Sequence, residues 1–296
     1  MVNSFMSTKT QTNQLLGYPT EARLLIINAD DFGMCHSINE ATIRSLREGL
    51  TSSCTLMVPC PWSLHAMHFL GENRDIPFGI HLTAVCELPN YRWRPLTSPE
   101  KVPSLVGWGG YFHDLDSIDE FVPKVDLDEI ETEFRAQIEV VLAAGLNPTH
   151  LDSHCHVHTR REAIFERVVK LARQYGLAVR AHTQPVIDIL RREGLPCNDH
   201  NVLDSYHIDS PHLAKGDKLY CFQQLLRDLP AGLSEWAIHP GIESDELRAM
   251  EQTWEVRKAD FDFLISPEAK KIVREEGVVI LNYKPLQKFW PPDRRS

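Results

Sequence analysis

Apolar runs alternate with amphipathic stretches along most of the chain. Residues 24–29 are almost continuously apolar, which is the pattern of a parallel strand buried on both faces. Residues 127–144 carry an apolar residue at every third or fourth position, which predicts an amphipathic helix. Similar patterns predict further strands at 55–58, 78–82, 148–154, 177–181, 235–239 and 278–283, and further helices at 38–46, 61–70, 163–175, 219–226 and 267–276.

This alternation predicts one α/β domain over residues 22–290. Six or seven strands alternate with helices, and no Gly/Ser linker interrupts them, so we expect a single closed or nearly closed (β/α) barrel, TIM-like with seven strands. A length of 296 residues is compatible with one such domain. Residues 1–21 are polar and predict a flexible N-terminal tail before it.

Residues 86–125 interrupt the alternation. They are rich in Pro, Trp, Tyr and Gly and lack clear periodicity, and a segment of this length and kind is usually a functional loop. We expect it to cover the cleft. We also expect at least one of its aromatic rings to contact the substrate, the candidates being Tyr91, Trp93, Trp108, Tyr111 and Phe112.

Composition narrows the class of protein. Lys plus Arg number 31 against 41 Asp plus Glu, and a net charge of −10 argues against binding to nucleic acid. Neither a signal peptide nor an apolar run of transmembrane length is visible, so we expect no membrane association. Seven cysteines without a C-x-x-C pair suggest reduced thiols in a cytoplasmic enzyme. The sequence leaves the oligomeric state open, and a homo-oligomer is one of the states it allows.

Residues that can bind a metal recur at the ends of the predicted strands. Asp30 and Asp31 end the first strand, His81 lies near the end of the third, His154 follows the next, and His239 ends another. The carboxyl ends of barrel strands meet at one mouth, where such folds build their active sites. We therefore expect these five side chains to share one cleft.

The types of these residues suggest how they divide the chemistry. Two adjacent carboxylates at a strand exit point in different directions, so one can bind a cation while the other accepts a proton. Asp31, His81 and His154 together form a set of two imidazoles and one carboxylate. Zinc, manganese, iron, cobalt and nickel accept this set, and magnesium is less typical with two imidazoles. The sequence predicts one divalent ion.

The segment His154-Cys155-His156-Val157-His158 is the densest local signal. In an extended chain, alternate residues share a face, so we expect all three histidines on one side, with one or two of them able to bind the ion. Asp152, two residues earlier, is placed to orient an imidazole.

Four segments together resemble one known family. Residues 28–33 (NADDFG), 79–83 (GIHLT), 149–158 (THLDSHCHVH) and 239–241 (HPG) resemble, in order and rough spacing, the YdjC-like carbohydrate deacetylases. The similarity spans about residues 22–285. It implies a (β/α) barrel related to polysaccharide deacetylases and one divalent metal ion, zinc or magnesium, with manganese, cobalt and nickel as further options. The implied reaction removes acetyl from N-acetylglucosamine-type units such as chitooligosaccharides.

The resemblance also implies roles for individual residues. By position, the metal ligands are Asp31, His81 and His154. Asp30 corresponds to the catalytic base, and His239 to the acid or the group that polarises the carbonyl. The residues expected around the ligands or against the substrate are Asp152, His156, His158 and Arg180, the last matching a strand-end arginine of the family.

Two alternatives remain at this point. Another metal-dependent hydrolase, acting on a phosphoester or a cyclic amide, is one, although the sequence has no Gly-rich phosphate loop. A catalytically silent sugar-binding barrel is the other. Asp30 and His239 argue against the second, because binding alone requires neither a base nor an acid.

Overall fold

A curved, all-parallel sheet forms the centre of the computed structural model, which describes residues 12–207 and 218–292. Its strands are β1 Arg23–Phe32, β2 Ser53–Leu56, β3 Phe78–Leu82, β4 His150–Ser153, β5 Ala178–Val179, β6 Leu203–Asp204, β7 Gly232–Ile238 and β8 Val279–Leu281. They lie in the order β5-β4-β3-β2-β1-β7-β6, and β8 pairs with β1.

The predicted α/β class is confirmed, with seven strands side by side and an eighth attached to β1. The sheet is a curled half-barrel. Among the described strands β5 and β6 do not pair, so the sheet is open at that point, where a closed TIM barrel would continue. Both strands have only two residues, which leaves little backbone to form a ladder.

Strand β1 lies in the middle of the core because its apolar run is continuous. Leu24 and Ile26 pack into one buried cluster, while Leu25 and Ile27 face a second cluster on the other side of the sheet. Residues 23–29 of β1 pair with β7, and residues 28–32 pair with β2. This double anchoring fixes the carboxyl end of β1, where the two aspartates lie.

Helices surround the sheet: α1 Thr12–Leu15, α2 His36–Glu48, α3 Ser63–Glu72, α4 Ile118–Phe121, α5 Leu127–Ala143, α6 Glu162–Tyr175, α7 Gln184–Arg192, α8 Lys218–Arg227, α9 Asp245–Met250, α10 Trp254–Ile265, α11 Pro267–Glu275 and α12 Lys284–Gln287. All the helices predicted from periodicity are present, with ends that differ by at most two residues. Helix α6 shows why: its apolar stripe is buried, and Gly176 ends it with a left-handed φ of 68°.

The N-terminal segment differs from the predicted flexible tail over residues 1–21. From residue 12 onwards the chain packs against the domain, because the backbone N–H of Thr12 donates to the Asp199 carboxylate at 3.1 Å. The Asn13 amide donates to the carbonyl oxygens of Pro19 and Thr20 at 2.8 Å each. Thr12 and Asn13 are polar, and hydrogen bonds satisfy them in buried positions. Hydrophobic periodicity does not detect buried segments of this kind. Residues 1–11 lie outside the described part of the chain.

Residues 86–125 are the long connection between β3 and α5. Short 3-10 turns, helix α4 and isolated bridges from Cys86 to Asp114 and from Val106 to Phe112 order it. Within residues 12–207 and 218–292, no helix has both the length and the apolar character that a membrane crossing requires.

Candidate functional site

A cavity of about 610 Å³ opens at the carboxyl ends of the strands. Its volume is in the range of small-molecule sites. Eight polar residues of its wall lie on separate strands or in the turns after them: Asp30, Asp31, His81, Ser153, His154, His156, Asp204 and His239. The structure thus brings together the five side chains that the sequence placed at strand ends.

Left-handed backbone at residues other than glycine is concentrated in the wall of this cavity. In the described part of the chain, three residues other than glycine have a left-handed φ: Asp31 (66°), Cys155 (51°) and His156 (57°). All three line the cavity. Such conformations are unfavourable for residues with a Cβ and persist where the surrounding structure imposes them, often at functional sites.

Asp31, His81 and His154 converge in the way that metal ligands do. Asp31 Oδ1 lies 3.4 Å from His81 Nε2 and 3.2 Å from His154 Nδ1. All three ligand atoms lie within 4.8 Å of one another. Asp31 Oδ1 is buried and accepts no hydrogen bond, although buried carboxylate oxygens normally do. A divalent cation bound among the three atoms would satisfy this oxygen.

Carboxylates on the far side of each ring fix how the two histidines face Asp31. His81 Nδ1 lies 2.8 Å from Asp152 Oδ1, and His154 Nε2 lies 2.6 Å from Glu87 Oε2. A carboxylate can only accept, so these nitrogens carry the protons, and the other nitrogen of each ring is directed at Asp31. Carboxylate–histidine pairs of this kind orient metal-binding imidazoles in many proteins.

The electrostatics of the cluster favour positive charge. Burial by itself lowers the pKa of His81, but Asp152 and Asp31 raise it to about 9. Burial opposes protonation of His154 as well, yet Cys155, Glu87 and Asp31 hold its pKa well above the usual value. Without an ion, protons supply this charge, and a divalent ion would displace them. The donor set of two imidazole nitrogens and one carboxylate oxygen fits zinc, manganese, cobalt or nickel best.

Asp30 lies beside this cluster and is held differently. Arg180 donates to both of its oxygens, at 2.7 Å to Oδ2 and 2.8 Å to Oδ1, and Asn28 donates to Oδ1 at 2.7 Å. Burial works to raise the pKa of Asp30, but the Arg180 guanidinium outweighs it and holds the pKa well below the usual value. Asp30 is therefore ionised at every ordinary pH.

Arg180 is fully buried and joins Asp30 to two further carboxylates. Its Nη1 lies 2.8 Å from Asp152 Oδ2, and its Nε donates to Glu235 Oε1 at 2.7 Å. Glu235 also accepts from the hydroxyl of Tyr283. Arg180 and Asp152 thus lie beneath the cavity floor, where Asp152 contacts both His81 and Arg180.

His239 faces the cavity from the end of β7. Its Nδ1 is hydrogen-bonded to Ser205 Oγ at 2.9 Å, and its backbone N–H donates to Asp260 Oδ2 at 2.9 Å. These contacts leave Nε2 directed towards the cavity, 4.0 Å from Asp30 Oδ2.

The prediction that His154, His156 and His158 share one face is wrong. His154–Thr159 is a 3-10 turn, and the left-handed Cys155 and His156 send the three rings in different directions. His156 Nε2 lies 3.0 Å from Asp204 Oδ2 on the cavity wall. His158 is buried away from the cavity, between Ser153 Oγ at 2.6 Å and the carbonyl oxygen of Arg180 at 2.9 Å.

The long loop contributes to the cavity through residues 87–90 and Leu115 and not through its aromatic rings. None of the five candidate rings lines the cavity: Trp93 and Phe112 are buried in the core, and Trp108 is 89 % exposed outside it. Among the described residues, the phenol ring in the cavity wall belongs to Tyr206.

The polar residues of the wall that were not predicted from the sequence include Glu87, Asp204, Tyr206, His207 and Arg257. Asp204 ends a strand, so the rule that found His81 and His239 applies to it, but β6 is too short to recognise. Arg257 Nη2 donates to Asp31 Oδ2 at 2.8 Å from helix α10. Nothing in the sequence around Arg257 or Glu87 signals these contacts.

The fold and the site define the class of this protein: an α/β half-barrel with a candidate metal centre at the carboxyl end of its sheet. The sequence pattern of the YdjC-like proteins matches residues 24–275, and the chain belongs to this family.

Named relatives match over nearly their whole length. The chain is 28 % identical over 270 residues to a carbohydrate deacetylase of Thermoanaerobacter pseudethanolicus, covering 90 % of this chain and 100 % of that protein. It is 30 % identical over 271 residues to a carbohydrate deacetylase of Brevibacillus brevis, covering 88 % and 99 %. A crystal structure of a protein from Enterococcus faecalis, proposed to cleave cellobiose phosphate, superposes with a TM-score of 0.76 at 29 % identity, covering 90 % and 99 %.

Proposed function

We propose that this protein hydrolyses the N-acetyl group of an N-acetylated sugar, a chitooligosaccharide or a related compound, and releases acetate with the help of one divalent metal ion. The observation that carries the proposal is the position of Asp30 and His239, which face one cavity beside the Asp31–His81–His154 cluster. The names of the relatives in Thermoanaerobacter and Brevibacillus support the same activity.

Asp30 is the base in this proposal, and Oδ2 is the atom that takes the proton. Oδ1 already accepts from Arg180 and Asn28. Oδ2 accepts from Arg180 Nη1 alone among the donors in the described chain, and a carboxylate oxygen has two lone pairs. Its remaining acceptor position receives a proton from water as the water oxygen bonds to the acetyl carbon.

His239 is the acid. When the bond between the acetyl carbon and the sugar nitrogen breaks, the amine requires a proton, which His239 Nε2 donates. Ser205 Oγ, bonded to Nδ1, holds the ring with Nε2 towards the cavity. Since Nε2 and Asp30 Oδ2 are 4.0 Å apart, the two groups can act on the same acetamide.

Asp31, His81 and His154 would hold the ion, and Arg257 would hold Asp31 Oδ2 so that Oδ1 remains free for it. A divalent ion bound there would act as a Lewis acid that polarises the acetyl carbonyl and makes water more acidic. Arg180 keeps the pKa of Asp30 low, which makes the carboxylate a weak base, and an ion that made water more acidic would compensate for this.

Acetate release tests the proposal. We expect the metal-replete protein to release acetate from N-acetylglucosamine or its oligomers. Acetate release should stop after chelation and recover when zinc, manganese or cobalt is returned. Asp30→Asn is the inactive control, and Asp262→Asn, at an exposed carboxylate on α10, is the matched substitution that should leave acetate release unchanged.

Two results would contradict the proposal. One is the absence of acetate release from every N-acetylated mono- and oligosaccharide by protein that contains metal. The other is release of phosphate from a phosphorylated disaccharide by the same protein with no acetate released from any acetylated sugar, which would favour the phosphoester alternative.

A further inference from the structure

A second group of metal-competent side chains lies on the cavity wall, apart from Asp31, His81 and His154. Asp204 Oδ2 is 3.0 Å from His156 Nε2 and 3.6 Å from His207 Nδ1. The three ligand atoms lie within 4.8 Å of one another. All three residues line the cavity, and none of them has a part in the reaction proposed above.

The surroundings hold Asp204 and His156 in place. Asp204 is 7 % exposed, and its Oδ1 accepts the backbone N–H of Tyr206 at 2.9 Å, which leaves Oδ2 for the two histidines. The His156 ring stacks on His182 with a centroid distance of 3.6 Å. Groups fixed in this way bind an ion with little reorganisation.

His156 is also held at a cost that local structure does not explain. Its backbone is left-handed, with φ at 57°, and its Nδ1 is buried without a hydrogen-bond partner. A histidine that served only to pack this turn would adopt ordinary backbone and satisfy both nitrogens. The conformation instead separates His156 from His154 and directs its Nε2 at Asp204.

We propose that His156, Asp204 and His207 form a second divalent-cation site, which takes a borderline ion such as zinc. Two imidazoles and one carboxylate match the preferences of zinc. The His207 side chain is 74 % exposed, so an ion bound here remains open to water for its other ligands.

The position of this site predicts an effect of excess zinc on turnover. Ser205, next to Asp204, bonds to His239, and Tyr206 packs against the same ring with a centroid distance of 4.7 Å. An ion at Asp204 adds positive charge near the proposed acid. Zinc beyond one equivalent should therefore slow acetate release. This effect rests on the proposed function, whereas the second binding event does not.

Zinc stoichiometry tests the site directly, by calorimetric titration of metal-free protein. We expect two equivalents of zinc to bind to the wild type, one to His207→Gln and one to Asp31→Asn. The variant that combines both substitutions should bind none. In His207→Gln the second event should be weaker by at least about tenfold and no longer count as an equivalent in the titration. His68→Gln is the matched control, because His68 is equally exposed, at 76 %, and lies 3.2 Å from Glu72, but no third ligand joins these two among residues 12–207 and 218–292. It should retain two equivalents.

A single equivalent in the wild type, or two undiminished equivalents in His207→Gln, would overturn the proposal. A third variant, Cys155→Ser, identifies a competing location, because Glu87, His154 and Cys155 also lie close together. Loss of the second equivalent in Cys155→Ser but not in His207→Gln would move the ion to that group and contradict our assignment. If two equivalents bind and acetate is never released, the site stands and the proposed function fails.

Discussion

Asp30 and Asp31 are neighbours in the sequence, yet the structure gives them opposite surroundings. Arg180 donates to both oxygens of Asp30, and that carboxylate faces His239. Arg257 donates to Oδ2 of Asp31 alone, and Oδ1 is left among imidazole nitrogens without a hydrogen bond. Both oxygens of one aspartate are bonded to an arginine, and the other aspartate retains an oxygen that a cation bound between the imidazoles would satisfy.

The backbone explains how adjacent residues reach different partners. Alternate side chains of a strand point to opposite faces, and the left-handed φ of Asp31 turns its carboxylate further from that of Asp30. That both residues are aspartates therefore does not determine which of them would bind a cation and which would accept a proton. Each carboxylate contacts a different arginine, Arg180 directly after β5 or Arg257 on α10, and the two contacts differ in whether they leave one oxygen open to a cation.

The largest effect should come from Asp31→Asn. The substitution removes the charge that joins the two imidazoles, so the Asp31–His81–His154 site should lose its ion, and acetate release should fall to the level of chelated protein. Metal analysis after dialysis, with His207→Gln present to exclude zinc at the second site, measures the loss. Normal metal content would mean that Asp31 is not a ligand.

Asp30→Asn should separate catalysis from metal binding. It removes the base and leaves the three ligands intact, so turnover should fall by about 10²–10⁴-fold while metal content stays near that of the wild type. Metal analysis and acetate release are measured on the same preparation. Loss of the ion in this variant would show that the two aspartates have been assigned the wrong way round.

His239→Ala should lower kcat while leaving metal content and substrate binding unchanged. If His239 protonates the leaving amine, the defect should be smaller for an O-acetyl ester, whose alkoxide leaves more readily than an amine. Rates on both substrates and the melting temperature are compared. An equal fall for both, together with a markedly lower melting temperature, would make His239 a structural residue.

The smallest effect should be a pH-dependent change in stability that comes from His158, whose ring contacts the arginine that holds Asp30. Burial lowers the pKa of His158 from 6.5 to about 4, while the ring bonds to the Arg180 carbonyl. Between these two pH values His158 is protonated in the unfolded chain but not in the folded chain. The free energy of unfolding therefore falls as pH decreases from about 6.5 to about 4. This group should account for about 2 kcal/mol of the loss in unfolding free energy between pH 7 and pH 5.

Urea titrations of the wild type and His158→Gln at both pH values measure this contribution. The variant is expected to be less stable at pH 7 but to lose less on acidification. Identical losses in both proteins would mean that His158 is not the group that resists protonation.

The strand-end rule predicted the centre of the site from the sequence, because it depends on topology alone. Asp30, Asp31 and His81 lie near the ends of strands that hydrophobic patterning identifies, His239 directly follows another, and parallel strands bring their ends together. The α/β class followed from the same patterning. His154 was placed correctly at the cavity by its position after β4.

Features that depend on long-range side-chain contacts were not predictable. Glu87 and Arg257 reach the ligands from a loop and a helix, and no local pattern marks them. The prediction for the histidine tract is wrong because it requires an extended segment, whereas Cys155 and His156 adopt left-handed backbone. The loop aromatics do not line the cavity, because Trp93 and Phe112 are buried in the core and Trp108 is exposed outside it, and contact between such a ring and the substrate stays a prediction.

A crystal structure of the protein soaked or grown with manganese or zinc tests the division between the two aspartates most directly, because anomalous scattering locates the ion. We predict an ion about 2.0–2.2 Å from Asp31 Oδ1, His81 Nε2 and His154 Nδ1, with the Asp30 carboxylate outside its coordination sphere and still bonded to Arg180. An ion coordinated by Asp30, or one that leaves Asp31 Oδ1 without a ligand bond, would contradict the account.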